Sequence, residues 1–561
     1  MSIHLRKIFN VVSINLLYNG PTERKEDSNM MNKHMRKTVT FLLTASLAAS
    51  LCISSLAEEN DSAGTLEQTG ISDTTGSMAE GAPPEKPDGN GGPSDGDSVH
   101  PEKPDGNGGP SDGNGVHPEI PDGNGGLSDG NGAPPEKPDG NGGPAGGPGG
   151  SPGGSGADIE YIGAIEISSG DTQDEQSYVS TSSDENALLI ATSEEVTINN
   201  PTITKTGNSD GGDNCNFYGL NAGILVKDGS TTTITGGTIT TDASGANGVF
   251  SYGGNGGQNG AEGDGTTVII RDTAITTTGD GSGGIMTTGG GTTCAYDLDI
   301  NTSGRSSAAI RTDRGGGTVI VDGGTYTTNG LGSPAVYSTA DITVSNAVLT
   351  SNLSEGVCIE GLNSITLNDC DLTADNTDCN GNATFHDSIM IYQSMSGDAD
   401  SGTSHFTMTG GSLTSKNGHV FHVTNTSAVI TLEGVEIVNE DEDNILISVC
   451  DDGWSGGSNT AKMNASAQSL SGAVLVGSNS SLALNLANGS SFEGYVDGNI
   501  TNAKGDTVST EVGNVTVTLD ESSTWTLTGD SYVTEFNGNA ENVIGNGYTL
   551  YVNGTALTGT S

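Results

Sequence analysis

The segment 310–317 groups charged side chains that are scarce in this sequence. Arg311, Asp313 and Arg314 stand within four positions, with Arg305 nearby, in a chain that has only 19 Lys and Arg residues among 561. A carboxylate beside guanidinium groups could hold calcium and remove a proton next to the carboxyl group of a uronate. The alternative is a structural role, in which the arginines form ion pairs with an acidic turn. The sequence favours the structural role.

Other catalytic constellations are missing from the sequence. A polysaccharide hydrolase needs an ordered pair of acid and base residues, but Asp451 and Asp452 follow Gly418-His419 instead of preceding it. The Ser, His and Cys residues form no nucleophile motif. We therefore predict no catalytic residue, and Arg311, Asp313 and Arg314 remain the nearest approximation to one.

A series of short strands offers a candidate binding face. The segments are 248–252, 284–288, 308–312, 334–338, 356–360, 388–392, 419–423 and 444–448. Strand residues alternate between the two faces of a sheet, so in one register a set of aromatic and charged side chains points outward. A register shift of one residue would turn some of these side chains inward. This set is Phe250, Tyr252, Arg311, Tyr337, Glu360 and Tyr392, with Asp313 adjoining it. Such groups suit a sugar, although the rings could instead pack under insertions at 253–265 and 376–388.

These strands must be positioned by a repeat of larger scale. Apolar anchors recur mostly about every two dozen residues, and each is followed five positions later by a second, mostly apolar residue. The anchors are Ile234, Ile270, Ala295, Val321, Val344, Leu367, Met408 and Leu432. Alternating Thr/Val/Ile-rich segments split by Gly, Asn and Asp indicate strands, and units this short must stack on one another. The sequence predicts an all-β fold, a right-handed parallel β-helix over 157–561 with twelve to fifteen coils.

The region before the β-helix divides into three parts. Residues 30–57 carry a basic "MNKHMRK", an apolar "TVTFLLTASLAASLCI" and a small-x-small site at 55–57, as in a signal peptide, and 1–29 suggest a misassigned start. Residues 58–156 are rich in Pro, Gly and acids and include four 17-residue repeats at 84–151, which predicts a disordered linker. We expect a secreted or cell-surface protein without membrane insertion after signal cleavage.

Charge and cysteine content narrow the partners and the chemistry. The formal net charge of −51 argues against nucleic acid and anionic lipid as partners. Six cysteines follow the signal: Cys215, Cys294, Cys358, Cys370, Cys379 and Cys450. Buried thiols are the commoner state in a solenoid, and a bridge between Cys370 and Cys379 is the alternative. The sequence identifies no certain cofactor, although calcium is possible, and predicts no metal ligands among His386, His405, His419 and His422.

The coil pattern resembles that of secreted β-helix proteins of the pectate-lyase-like fold class. It resembles in particular the adhesin-like surface proteins of Gram-positive gut anaerobes, which combine a signal, a Pro/Gly linker and a Thr/Gly-rich β-helix. Segments such as "DITVSNAVLTSN" at 341–352 carry this likeness. The likeness implies surface exposure and glycan contact, and it transfers no catalytic residue.

Three functions stay open from the sequence. The first is an adhesin-like protein that binds an extracellular polysaccharide or a host-cell glycan without cleaving it. The second is a calcium-assisted polysaccharide lyase or hydrolase. The third is a purely structural surface rod.

Overall fold

A computed structural model describes residues 159–210 and 212–560, and these residues form a parallel β-helix. Three sheets run along the solenoid, and each coil contributes one strand to each of them over most of its length. The predicted fold class is confirmed. The predicted signal peptide and linker lie outside the described residues.

The first sheet has thirteen strands among the described residues. They are Gly163–Ile167, Asn186–Ala191, Ile224–Lys227, Val249–Tyr252, Ile285–Thr288, Ile310–Thr312, Val336–Ser338, Val357–Glu360, Asp387–Tyr392, His419–Thr424, Ile445–Val449, Ala473–Val476 and Val496–Asp497. These strands include the eight segments that the sequence predicted as a second stack.

The second sheet has fourteen strands in the same part of the chain. They are Asp171–Asp174, Glu195–Asn199, Thr231–Thr235, Thr267–Arg271, Gly291–Tyr296, Gly317–Asp322, Asp341–Ser345, Ser364–Asn368, Thr403–Thr409, Ser427–Glu433, Asn459–Ser466, Ser480–Ala487, Asn514–Leu519 and Glu535–Asn537. The strand counts of these two sheets agree with the predicted number of coils.

The third sheet has ten strands in the described residues. They are Ser177–Ser180, Thr202–Lys205, Thr238–Thr241, Ala274–Thr277, Asp299–Thr302, Thr325–Thr328, Val348–Ser351, Asp371–Ala374, Ser412–Ser415 and Glu436–Asn439. Four further parallel strands follow in the later coils: Ser469–Ser471, Ser491–Gly494, Thr524–Leu527 and Val543–Ile544.

Short elements complete the fold. Two small sheets contain Asn499–Thr501 with Thr507–Thr510, and Ser531–Val533 with Leu550–Val552 and Thr555–Ala556. Within 159–210 and 212–560 the helices are Asn214–Tyr218 and the 3-10 turn Ala540–Asn542. The last pair, Tyr551 with Ala556, is antiparallel, so the chain folds back on itself at the last described coil.

The apolar anchors form one column inside the solenoid. Ile234 pairs with Ile270 and Val344 with Leu367, and all eight anchors are fully buried. The companion residues five positions later form a matching column in the third sheet, where Ile239 pairs with Ile275. Because strand residues alternate between the two faces, an apolar residue points inward at the equivalent position of each of these coils. When the coils stack, these side chains bury one another.

A single residue turns the chain between the second and third sheets in many coils. Asn346 and Asp369 adopt this role with φ of 55° and 49°. Left-handed backbone is costly for most L-residues but is tolerated by Asn, Asp and Gly, whose short side chains avoid or offset the clash. This turn chemistry explains why Gly, Asn and Asp split each predicted strand pair.

Candidate functional site

The candidate binding residues share the outer face of the first sheet. Met286 pairs with Arg311, Arg311 with Tyr337, and Tyr337 with Cys358, which places these side chains in one column. Glu360 pairs with Tyr392 in the column beside it. Their neighbours along the strands, such as Val336 and Ile359, belong to the interior core. The register expected for the outward set is therefore the one that the structure contains.

The N-terminal part of this face is a closed hydrophobic cluster. Phe250 and Tyr252 are only 0% and 6% exposed, because they pack with Leu225 and Met286 beneath covering chain segments. The ring of Tyr218, in the helix Asn214–Tyr218, lies edge-on to Tyr252 at 5.7 Å between centroids. The expectation that these two rings are exposed is wrong, because Tyr161 and Tyr218 pack against their cluster. The insertion at 253–265, which the alternative interpretation named, reaches Tyr252 through the Gly256 N–H, which donates to the tyrosine hydroxyl at 3.2 Å.

The middle of the face is a partly open surface, here called the central patch, which comprises Arg311, Asp313, Tyr337, Glu360 and Tyr392. Arg311, Tyr337 and Tyr392 are half-buried, whereas Asp313 and Glu360 are buried at 4% and 1% exposure. The guanidinium of Arg311 donates to Asp313 Oδ2 at 2.6 Å and lies 5.7 Å from the centre of the Tyr337 ring. The arginine thus serves as an ion-pair partner, the structural role that the sequence favoured.

Glu360 is the hydrogen-bond centre of the patch. Its Oε2 accepts from the hydroxyls of Tyr337 at 2.6 Å and Tyr392 at 3.3 Å, and its Oε1 accepts from Ser394. Burial raises the pKa of Glu360, while the hydrogen bonds from Ser394 and Tyr337 act in the opposite direction. A buried carboxyl that accepts from these three hydroxyls and, at 3.3 Å, from the Ser396 hydroxyl holds both tyrosine hydroxyls in place.

Residues from distant segments flank the central patch. Arg314 donates to Asp398 Oδ1 through Nε at 2.9 Å and through a terminal nitrogen at 2.5 Å. Its guanidinium also lies over the Phe217 ring at 3.9 Å. On the other side, the partly exposed Trp454 packs against Tyr392 with ring centroids 4.9 Å apart. The patch is therefore bordered by side chains from the segments that enter and leave the first-sheet strands.

A third part of the face holds a buried group that we call the histidine cluster: His419, His422, Ser448 and Asp452. Ser448 Oγ lies 2.6 Å from His419 Nδ1 and 2.7 Å from His422 Nδ1. His422 Nε2 lies 3.5 Å from Asp452 Oδ2, and both of these side chains are fully buried. The Ser448 hydroxyl has one proton and can donate it to only one of the two imidazoles. The other imidazole must therefore donate its Nδ1–H to Ser448 Oγ.

The histidine cluster resembles a nucleophile arrangement but is closed. Ser448 and His422 are both 0% exposed, and the Phe385 ring packs over His422 at 4.6 Å between centroids. Burial, followed by the neighbouring histidines, lowers the pKa of His419 to about 3, so its ring is neutral in the folded protein. We therefore assign the cluster a structural role.

Asp452 connects the histidine cluster to a covering segment. Its Oδ1 accepts from the backbone N–H and the hydroxyl of Thr384 at 2.9 and 2.6 Å. Burial alone would raise the pKa of Asp452, but the nearby His422 imidazole and the hydrogen bonds from Thr384 lower it overall. The carboxylate therefore joins two segments that are 68 residues apart in the sequence.

Two more acids are buried next to the histidine cluster. Glu355 and Asp387 are 6% and 1% exposed, and burial raises the pKa of both carboxyl groups, more strongly for Asp387. One oxygen of Asp387 has no hydrogen-bond partner. The covered face thus carries several acids that are costly to ionise.

The cysteines in the coils are mostly buried thiols. Cys215, Cys358, Cys370 and Cys450 are buried and free, and Cys379 is partly buried and free. Cys370 packs in the interior core, with its sulfur 3.4 Å from the Val344 carbonyl oxygen. The alternative of a bridge between Cys370 and Cys379 is not what the structure contains.

Sequence reasoning missed several members of the site. Phe217 lies in the short helix Asn214–Tyr218, and Asp398 and Trp454 lie in irregular segments, so no repeat marks any of the three. The histidine cluster had a usable signal, since "HVFHV" and "NILIS" belong to the same predicted stack as the central patch, and Asp451-Asp452 follows directly. Reading the stack as one continuous face would have placed His422 beside Ser448.

Searches for metal and membrane features give negative results within the described residues. No three or more His, Cys, Asp or Glu side chains in 159–210 and 212–560 are arranged to hold a metal ion. In the same part of the chain no helix is long and apolar enough to cross a membrane. Calcium remains an untested expectation.

Comparison with known proteins identifies no relative. No protein-family model, curated protein or solved structure matches this chain. The function must therefore be argued from the site itself.

Proposed function

We propose that this is a secreted or surface-displayed β-helix protein that binds an extracellular glycan without cleaving it, as adhesin-like proteins do. The observation that carries the proposal is the central patch with its flanking ring. Tyr337, Tyr392 and Trp454 are partly exposed together on one face, beside charged and hydroxyl groups. Aromatic faces pack against the C–H groups of a sugar ring, and the polar groups bind its hydroxyls.

The fixed geometry of the patch supports binding. Glu360 holds Tyr337 and Tyr392 by their hydroxyls, and Arg311 is held by Asp313. A surface that is ordered before the ligand arrives loses less conformational entropy on binding. The predicted signal peptide and the acidic composition are consistent with an extracellular site of action.

The interactions of the charged groups favour binding over catalysis. Asp313 is engaged by Arg311 and Asp398 by Arg314, so neither carboxylate is a free base. Glu360 favours the alternative of a lyase or hydrolase, because a buried carboxyl with a raised pKa is suited to general acid catalysis.

A glycan array combined with a sugar-release assay on the same samples tests the proposal. We expect retention of at least one glycan and no release of reducing or unsaturated sugar. Replacing Tyr337 and Tyr392 together by Ala should weaken attachment at least about tenfold, since aromatic anchors carry much of such binding. Tyr532→Ala, which alters a tyrosine that is 39% exposed outside the patch, is the matched control and should bind normally.

Two further variants separate binding from catalysis. Tyr337→Phe with Tyr392→Phe keeps both rings and should retain most of the binding. Glu360→Gln should leave sugar release at the same zero level as the native protein. Sugar release by the native protein that Glu360→Gln abolishes would establish the enzyme instead, and no retained glycan at all would favour the structural rod.

A further inference from the structure

We propose that the glycan bound at the central patch is neutral, a polymer of uncharged hexoses, and not a polyuronate. This inference rests on the proposed function and adds the chemical class of the ligand. It depends on how the charged side chains of the patch are already paired.

Both arginines of the site are occupied by carboxylates. Arg311 contacts Asp313 at 2.6 Å, with side chains only 14% and 6% exposed, and it also donates to the Ser306 carbonyl at 3.2 Å. Arg314 binds Asp398 through two nitrogens. An arginine recognises a uronate by donating guanidinium N–H groups to its carboxylate. In this site both guanidinium groups already donate to a carboxylate of the protein itself.

The acids of the patch also oppose a second carboxylate. Asp313 and Asp398 each pair with one arginine of the site, so neither arginine is left without a partner, and Glu360 adds a third carboxyl group. The whole chain carries a formal net charge of −51. A uronate would have to displace an internal partner or remain unpaired next to like charges, and both are unfavourable.

A neutral sugar meets none of these costs. Its C–H face can lie on the rings of Tyr337, Tyr392 or Trp454, and its hydroxyls can donate to the carboxylate oxygens that remain accessible, such as those of Asp398, which is 19% exposed. Such binding needs no ion pair with the ligand. We therefore expect its strength to depend little on salt.

Matched polymer pairs test the inference on the full mature chain. A glucan, a mannan and a galactan would each be compared with the same polymer carboxylated at C6, by titration calorimetry at low salt and at about 0.15 M. We expect at least one neutral polymer to bind at least about tenfold more tightly than its carboxylated form. Its affinity should change less than about twofold with salt.

The Asp398→Asn variant adds a gain-of-function arm. Removing this carboxylate frees Arg314, so binding of the carboxylated polymer should rise relative to its binding by the native protein. Glu433→Gln, an exposed substitution outside the patch, controls for the loss of one negative charge. It should not raise binding of the carboxylated polymer.

The outcomes distinguish a failure of the neutral-ligand inference from a failure of the proposed glycan binding. Preference for a carboxylated polymer, lost in Tyr337→Ala with Tyr392→Ala, would overturn the neutral-ligand inference and leave glycan binding intact. Binding of no polymer of either kind would overturn both. Neutral binding that persists in the double tyrosine variant would show that the ligand lies elsewhere and would also overturn the inference.

Discussion

At the scale of single residues, the outer face of the first sheet is governed by pairing of buried polar groups. Arg311 with Asp313, Tyr337 with Glu360, and the imidazoles with Ser448 each satisfy groups that would otherwise be costly to bury. The histidine cluster allows two predictions about stability.

Ser448→Ala should destabilise the protein by about 1–3 kcal/mol. The substitution leaves the Nδ1 atoms of His419 and His422 buried without their shared partner, and unsatisfied buried polar groups carry this penalty. Chemical denaturation gives the free energy of unfolding. Ser401→Ala, at an exposed position, should change it by less than about 0.5 kcal/mol. Equal values for the two variants would contradict the assignment of the cluster as structural.

His419 should also give stability a pH dependence. Its pKa is lowered from 6.5 to about 3 in the folded state. Between pH 6.5 and about 3, the imidazole is therefore more often protonated in the unfolded chain than in the folded one. The contribution of His419 therefore decreases as pH falls from about 6.5 towards 3. Buried Asp387 acts oppositely, since its raised pKa makes stability fall as pH rises above about 4.

Comparing the native protein with His419→Asn isolates the histidine contribution. Asn retains an amide donor near the position of Nδ1 but does not titrate. As pH falls from 6.5 to about 4, the native protein should lose more stability than the variant. Parallel stability curves for the two proteins would show that His419 titrates normally in the fold.

At the scale of elements, the alternation of strands explains both what the sequence predicted and what it could not. The interior columns were predictable because one inward position recurs in every coil, as Val344 and Leu367 show. The outward register of Tyr337 and Tyr392 followed from the same alternation. What covers that face was not predictable, because contacts such as Arg314 with Asp398 join irregular segments 84 residues apart.

A matched pair of substitutions on one strand tests the predicted faces. Val344 is fully buried, whereas its neighbour Thr343 points outward on the strand Asp341–Ser345. Val344→Asp should cost several kcal/mol by burying an unpaired charge, and Thr343→Asp should cost only about 0.5 kcal/mol. Thermal unfolding of both variants measures the difference. A larger loss for Thr343→Asp would mean that the register is reversed.

At the scale of the whole molecule, the chain should have two regions of different protease resistance. The sequence predicts that 58–156 is a disordered linker, and these residues lie outside the described part of the structure. Limited proteolysis of the protein should cut first within 58–156 and leave a stable fragment that begins near residue 160. First cuts within the stacked strands after residue 163 would contradict this division.

The scale of the whole molecule also sets how the ligand is presented. A parallel β-helix offers one continuous outer face for each sheet, and the middle of the first-sheet face is both ordered and partly open. A crystal structure of the protein with the neutral oligosaccharide that it binds most tightly tests this account directly. We expect an intact sugar chain lying over Tyr337, Tyr392 and Trp454. A sugar bound to another face, or cleaved sugar at the patch, would contradict it.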